Sequence, residues 1–323
     1  MRRTAAALSL PLLAIMVLAG CGSSTSSTSG SSNPNGSVAV SGAFGVAPTV
    51  KIPASKASSS LAIKTVIKGT GPVLGATDSF VGNYAVYIWS GSTHKLALST
   101  FARGSTQGTP QVLAANVGLT GLKEALTGKR MGSRVLAVLP PKYAYGSKGN
   151  SQIGVKPTDT IVFVVDLIKD YSGTASASGK HVSNGGGGLP TVTASPGTAP
   201  QVKIPSTRPP RKLIVKTLIR GSGPVTAKGQ TVVTQYVGLN WRTGKVFDSS
   251  WQRKEPFGFT LDATPAQIIP GWDTGLLGVP VGSRVMLIIP PADGYGKTGN
   301  TEAGIKGTDT LVFDIDVIGA VSN

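Results

Sequence analysis

Residues 121–168 and 271–318 of this 323-residue chain align without a gap at a constant offset of 150. Gly121, Pro140, Pro141, Tyr145, Gly146, Gly149, Asn150, Asp159, Thr160 and Phe163 return as Gly271, Pro290, Pro291, Tyr295, Gly296, Gly299, Asn300, Asp309, Thr310 and Phe313. Upstream, KTVIKGTGPV (64–73) returns as KTLIRGSGPV (216–225), and VKIP stands at both 50–53 and 202–205. Such a repeat is one folding unit present twice, so whatever architecture one copy adopts, the other must adopt too. Between the matching ends the copies part. The second reads KVFDSSWQRKEPFGF where the first reads KLALSTFARGSTQGT. Rings and a carboxylate kept in one copy and lost from the other point to a pocket that survives only in the second.

The N-terminal residues bear on the compartment. Arg2 and Arg3 precede AAALSLPLLAIMVLAG, an apolar run too short to span a bilayer. The run closes on Leu18-Ala19-Gly20-Cys21, which resembles the lipobox of bacterial lipoproteins. That resemblance implies a signal peptide over residues 1–20, lipidation of Cys21, and a chain held to the cell membrane on its extracytoplasmic side. The alternative is an ordinary secretory signal with a stray cysteine. Cys21 is the one cysteine, which excludes disulfides within the chain. His94 and His181 are too far apart in sequence to start a His-rich metal site, so neither metal nor cofactor is expected.

A Ser/Gly-rich tether over residues 21–47 and a flexible Gly/Ser/Pro linker over 171–199 flank two segments, 48–170 and 200–323, each of ordinary domain length. The formal net charge is +17; cleavage after Gly20 leaves 29 basic against 14 acidic side chains. With an export signal this balance argues against nucleic acid. It favours an anionic membrane or cell-wall surface, with solubility alone as the alternative. The chain is expected to act as a monomer.

The repeats carry short alternating strands: TVVTQYVGLNW (231–241), VMLIIP (285–290) and TLVFDIDVI (310–318), matched by SFVGNYAVYIW, VLAVLP and TIVFVVDLI in the first copy. One short helix per repeat is predicted. Pro270 suits a first turn, Trp272 and Leu276 share a face, and Gly278 ends it; Leu119, Leu122, Leu126 and Gly128 do the same in the first copy. The fold class is therefore α+β, an antiparallel sheet wrapped around one short helix, twice.

Tyr236, Phe247, Asp248, Phe257, Ile268, Ile269, Trp272, Tyr295 and Phe313 form the constellation that could carry chemistry. Read as packing alone, the rings fill the interior and Asp248 caps a turn with Ser249 and Ser250. Order and spacing say more. V-F-D-S-S (246–250), R-K-E-P-F-G-F (253–259), I-I-P-G-W (268–272), G-Y-G (294–296) and T-L-V-F-D (310–314) resemble the FKBP-type peptidyl-prolyl cis-trans isomerases across about 100 residues of the second repeat.

The resemblance implies an apolar pocket for a prolyl ring. Trp272 would be its floor, with Tyr236, Phe257, Ile268 and Phe313 as walls and Phe247 lining it beside Asp248. The Ile269 N–H and the Tyr295 hydroxyl would hold substrate carbonyls, and Arg253 would orient Asp248 and Tyr236. The match departs at Lys306 and Gly307, where the family often carries prolines, and at Trp251, which either extends the contact surface or packs against the bulge. In the first repeat Phe247, Asp248, Phe257 and Trp272 become Ala97, Leu98, Gln107 and Leu122, while Tyr84, Arg103, Tyr145 and Phe163 remain. That copy is expected to fold and to be catalytically silent.

The function this implies is prolyl cis-trans isomerisation of exported proteins, without covalent catalysis, on proline-containing polypeptides. A non-catalytic proline-binding or holdase lipoprotein is the alternative. A charge-driven surface adhesin is a third reading.

Overall fold

The structure, a computed structural model, describes residues 38–101, 108–115 and 118–322. Two compact units divide the chain. Of the described residues, one holds 38–76, 83–101, 115 and 118–168; the other holds 77–82, 108–114 and 169–322.

The first repeat runs β1 (Ala39–Ser41), β2 (Thr49–Lys51), β3 (Ala62–Ile67), β4 (Ser79–Ser90), β5 (Thr93–Ser99), β6 (Gln111–Ala114), α1 (Thr120–Leu126), β7 (Arg134–Leu139) and β8 (Thr160–Tyr171). Its antiparallel sheet has the order β3-β7-β8-β4-β5, with β6 also paired to β4. Next come β9 (Lys180–His181), β10 (Thr191–Thr193), β11 (Gln201–Lys203), β12 (Ile214–Arg220), β13 (Thr231–Asn240), β14 (Val246–Ser249), the one-turn α2 (Ser250–Arg253), β15 (Phe257–Thr260), α3 (Pro270–Leu276), β16 (Arg284–Ile289) and β17 (Leu311–Val321). The second sheet is ordered β14-β13-β17-β16-β12-β9, with β15 on β13. The same topology thus appears twice, as the repeat requires.

Period-two alternation decides which side chains enter the core. On β17, Phe313, Ile315 and Val317 face the helix and join Trp272, Leu276, Val285, Leu287 and Ile289 in one buried cluster. Pro270 occupies the first turn of α3, where its missing N–H costs nothing. A Cβ on Gly271 would lie 2.7 Å from the Ile289 side chain, so glycine there lets the helix lie flat against β16 and turns Trp272 into the concave face.

The opposite face of each sheet is covered as well, by a hairpin that composition assigned to spacer. In the second repeat Val192 of β10 packs on Val237, Leu239, Trp241, Met286, Ile288 and Val312. In the first, Val38 and Ile52 beside β1 and β2 pack on Trp89, Leu136, Val138, Val162 and Val164. The tryptophan under each hairpin donates its indole N–H to the connection that follows, Trp89 to the Ser55 carbonyl at 2.8 Å and Trp241 to the Thr207 carbonyl at 3.1 Å. This corrects the expected boundaries: residues 38–47 and much of 171–199 are folded parts of their repeats, and Lys180–His181 pairs with β12 rather than running free as a flexible linker. Sparse apolar side chains hid these segments, because a three-residue strand needs only one buried valine.

Each outer face also carries a buried bidentate ion pair, Arg134–Asp166 and Arg284–Asp316, both with a 2.6 Å first bond. Arg134 reaches further, donating to the carbonyls of Gly42 (3.0 Å) and Val46 (2.6 Å) in the hairpin loop. Beside the second pair lies Asp314, 1 % exposed, where the first repeat has Val164. Register sets it between Val237 and Met286. Among the described residues neither carboxyl oxygen has a hydrogen-bond partner, and Arg284, at 3.4 Å, is already committed to Asp316. Burial pushes the Asp314 carboxyl up to about 8, with Arg284 opposing and Asp316 adding to the shift.

Candidate active site

The sequence brings the site together through three local devices. The β-bulge between Gly238 and Leu239 offsets β13 from β14 and sets Phe247 and Asp248 at the open edge of the concave face. Ser249 then N-caps α2, accepting from the Gln252 N–H, while Ser250 accepts from the Tyr236 N–H at 2.7 Å and donates to Gln235 at 2.5 Å. That anchoring fixes the strand from which the Tyr236 ring projects. The turn is capped by Ser249, so Asp248 is released for another role.

Trp272 is the hub. Its ring meets Tyr236 at 5.1 Å and 87°, Phe313 at 5.1 Å and 89°, Phe259 at 5.6 Å and 69°, and Phe257 at 6.1 Å and 80°. Phe247 stands edge-on to Phe313 at 5.5 Å. These are the edge-to-face arrangements that ring quadrupoles favour. Trp272, Phe313, Tyr236, Ile268 and Ile269 are all buried, whereas Phe247, Phe257 and Tyr295 are half-buried and form a rim. The indole N–H of Trp272 is buried with no acceptor among the described residues.

At the rim Tyr236, Asp248 and Arg253 bond to one another. The Tyr236 hydroxyl donates to Asp248, Arg253 donates to the other Asp248 oxygen, and Arg253 reaches the Tyr236 hydroxyl at 3.0 Å. Burial raises the Tyr236 phenol far above its ordinary range, and the adjacent Asp248 charge adds to this, so the hydroxyl keeps its proton and remains a donor. Burial likewise raises Tyr295, against the opposing hydrogen bond of Asn300. Asp248 and Arg253 remain 39 % and 46 % exposed, which leaves their pairing open to solvent screening. Ile269 precedes α3 in extended backbone; its carbonyl accepts the Trp272 N–H at 2.9 Å, and its own N–H meets no acceptor among the described residues.

All ten residues singled out from the sequence converge on this one face or its rim. Phe259 was missed, although its spacing of two from Phe257 puts both rings on the same side of β15. Ile305 also belongs, buried against the cluster by the loop that follows Tyr295. That loop folds back through paired Asn300–Ile305 backbone bonds of 2.8 Å. A Cβ on Gly307 would sit 1.9 Å from the Lys297 carbonyl, which explains a glycine where proline was looked for. Trp251, left between two readings, lies buried in the outer-face cluster with Val237 and Trp241, away from the rim.

The first repeat keeps the bulge and its anchor: the Tyr84 N–H donates to Thr100 Oγ1 at 2.8 Å, and Thr100 bonds Asn83. It lacks the hub. Leu122 is buried where Trp272 stands, Ala97 replaces Phe247, and Leu98 lies 41 % exposed in place of the carboxylate. Arg103 and Gln107 lie outside the described residues, as does Cys21. Among the described residues no three His, Cys, Asp or Glu side chains gather as a metal site, and no helix is long and apolar enough to cross a membrane.

The second repeat is thus an antiparallel sheet closed over one short helix, with a ring cluster against that helix and an anchored Tyr–Asp–Arg group at its rim. The model of the FKBP-type peptidyl-prolyl cis-trans isomerase family matches residues 91–168 and 223–318, and the chain belongs to that family of isomerases. A FK506-binding protein of Streptomyces anulatus is 43 % identical over 119 residues, covering 37 % of this chain and 94 % of that protein. A probable FK506-binding protein of Corynebacterium glutamicum is 39 % identical over 121 residues, covering 38 % and 98 %. Among solved structures, FkpA from Escherichia coli is 37 % identical, covers 34 % of this chain and 48 % of that one, and superposes with a TM-score of 0.31.

Proposed function

We propose that isomerisation is performed by the second repeat alone, on X–Pro bonds of polypeptides outside the cytoplasmic membrane. The observation that carries this reading is the contrast between the Trp272 hub with its Tyr236–Asp248–Arg253 rim and the Leu122–Leu98–Ala97 surface at the aligned positions.

Rotation about an X–Pro bond crosses a barrier of about 18–20 kcal/mol because resonance keeps the peptide planar. In the twisted state that resonance is lost and the carbonyl dipole is smaller. A water-poor, ring-lined cradle therefore disfavours the planar ground state more than the twisted one. The prolyl ring enters between Phe247, Phe257 and Tyr295 and rests on Trp272, walled by Tyr236, Ile268 and Phe313. The Ile269 N–H and the Tyr295 hydroxyl hold carbonyls on either side. Asp248 is too exposed for its field to dominate; it acts mainly by fixing Tyr236 and Arg253. No bond is made or broken, and no proton changes owner.

The extracytoplasmic part of the reading rests on the run ending at Leu18-Ala19-Gly20-Cys21. Fractionation tests it: the full chain is expected in the membrane fraction, and Cys21→Ala should release it. Activity is tested on the full chain by proline-limited refolding or a protease-coupled peptide assay. Binding of prolyl peptides without rate acceleration would reduce the chain to a holdase.

A further inference from the structure

A second concavity lies in the same unit as the ring cradle, with a volume of about 700 Å3. Two proline pairs face it, Pro209–Pro210 from the segment leading into β12 and Pro290–Pro291 from the end of β16. Prolines carry no N–H, so these walls present apolar ring faces and acceptors, with no backbone donors at those four positions. The donors come from three exposed cations: Arg208, Arg211 and Lys297.

Some cations of this unit are paired and others are not. Arg242, Arg253 and Arg284 are each held by a carboxylate, respectively Asp309, Asp248 and Asp316. Arg208, Arg211 and Lys297 form no ion pair among the described residues, and no Asp or Glu lines the groove. In the Arg208-Pro209-Pro210-Arg211 run, the two prolines favour a polyproline II path with about three residues per turn, which returns both arginines to the same side. Continuity with the cradle is direct. Tyr295 packs on the ring cluster, and the next two residues, Gly296 and Lys297, line the groove.

We infer that this groove is an exosite for an acidic stretch of the polypeptide whose X–Pro bond occupies the cradle. Its class of ligand is an extended peptide segment bearing Asp or Glu side chains. The proline rings offer an apolar bed for a chain, and unpaired cations with no carboxylate in the lining supply the charge complementarity. The inference rests on the cradle reading above for its biological sense, while binding can be measured without it.

The test uses the full chain and a fluorescent Asp/Glu-rich peptide lacking proline, followed by anisotropy at low and high salt. Wild type is expected to bind it, about tenfold or more tighter than a Ser/Gly control, with affinity falling as salt rises. Arg208→Glu/Arg211→Glu/Lys297→Glu should lose the preference, and Trp272→Leu should retain it. With X–Pro substrates, an acidic extension should lower KM in wild type but not in the charge-reversed chain, with kcat unchanged on short neutral substrates. Equal binding by wild type and the charge-reversed chain would overturn the proposal. So would anionic lipid vesicles or inorganic polyphosphate binding at this groove where the acidic peptide does not. Absence of isomerase activity with intact peptide binding would refute the cradle reading and leave the exosite standing.

Discussion

The two repeats share a sheet order, a seven-residue helix, a bulge with its hydroxyl anchor and a buried arginine–carboxylate pair, yet among the described residues only the second packs four rings against a tryptophan on its helix. The first closes the same space with Leu122, Ala125 and Leu126 and reaches the same topology. The fold therefore does not need Trp272 or Phe247. Their presence in one copy is the contrast on which the proposed division between an active and a silent repeat rests.

The largest effect that would sharpen this comparison is structural. Arg134→Met removes a bidentate pair and also frees the Gly42 and Val46 carbonyls, whereas Arg284→Met removes a pair that has no described bond to its hairpin. Each should cost about 3–5 kcal/mol in chemical denaturation, with the first-repeat loss the greater. Equal losses would mean that the loop contacts of Arg134 carry no weight.

Next comes catalysis. Trp272→Leu, which installs the residue of the first copy, should lower kcat/KM about a hundredfold, or about 2.7 kcal/mol in transition-state binding. Leu122→Ala should leave turnover unchanged while destabilising its own repeat by about 2–5 kcal/mol. Loss of activity from the first-repeat variant, with the fold retained, would break the division into active and silent copies.

Asp314 supplies a pH dependence that only one repeat should show. Its folded value of about 8 exceeds the ordinary carboxyl value of about 3.9 in an unfolded chain. The stability held by the neutral form is thus fully present below about pH 4 and is lost as pH rises to about 8. Asp314→Val, copying Val164, should remove that decline and raise stability at the alkaline end, read by urea melts at several pH values. A pH slope that persists in the variant would show that another group causes it.

The smallest effect is expected from Asp248→Asn. The amide oxygen can still accept from one of Tyr236 and Arg253, and the lost charge is partly exposed. Turnover should fall only about two- to fivefold, within the 0.2–1 kcal/mol of an exposed pair. A hundredfold loss would make electrostatics the leading contribution.

Much of this was legible in the sequence because duplication exposes constraint. Three strands of each sheet followed from alternation, α3 from Pro270 and its apolar spacing and α1 from Leu119, Leu122 and Leu126, while the cradle residues were implied by the family resemblance. What escaped detection had weak local signals. The outer hairpins bury one or two valines each, and their trace, the doubled VKIP, was visible only as a repeat. Trp251 could not be assigned a face, because it sits in the one-turn α2, past the bulge that breaks the alternation of β14. Alternation puts Asp314 on the face opposite Phe313 and Ile315, which is buried here with Val237 and Met286, and nothing in the strand pattern marks that face as covered.

The four tryptophans offer the most direct test of the cradle. Trp89 and Trp241 donate their indole N–H groups to backbone carbonyls, while that of Trp272 meets no acceptor among the described residues. An indole 15N–1H titration of the full chain with a short X–Pro peptide should move the Trp272 resonance strongly and leave Trp89, in the first repeat, in place. A saturating peptide that leaves Trp272 unmoved, or shifts Trp89 as much, would contradict the account.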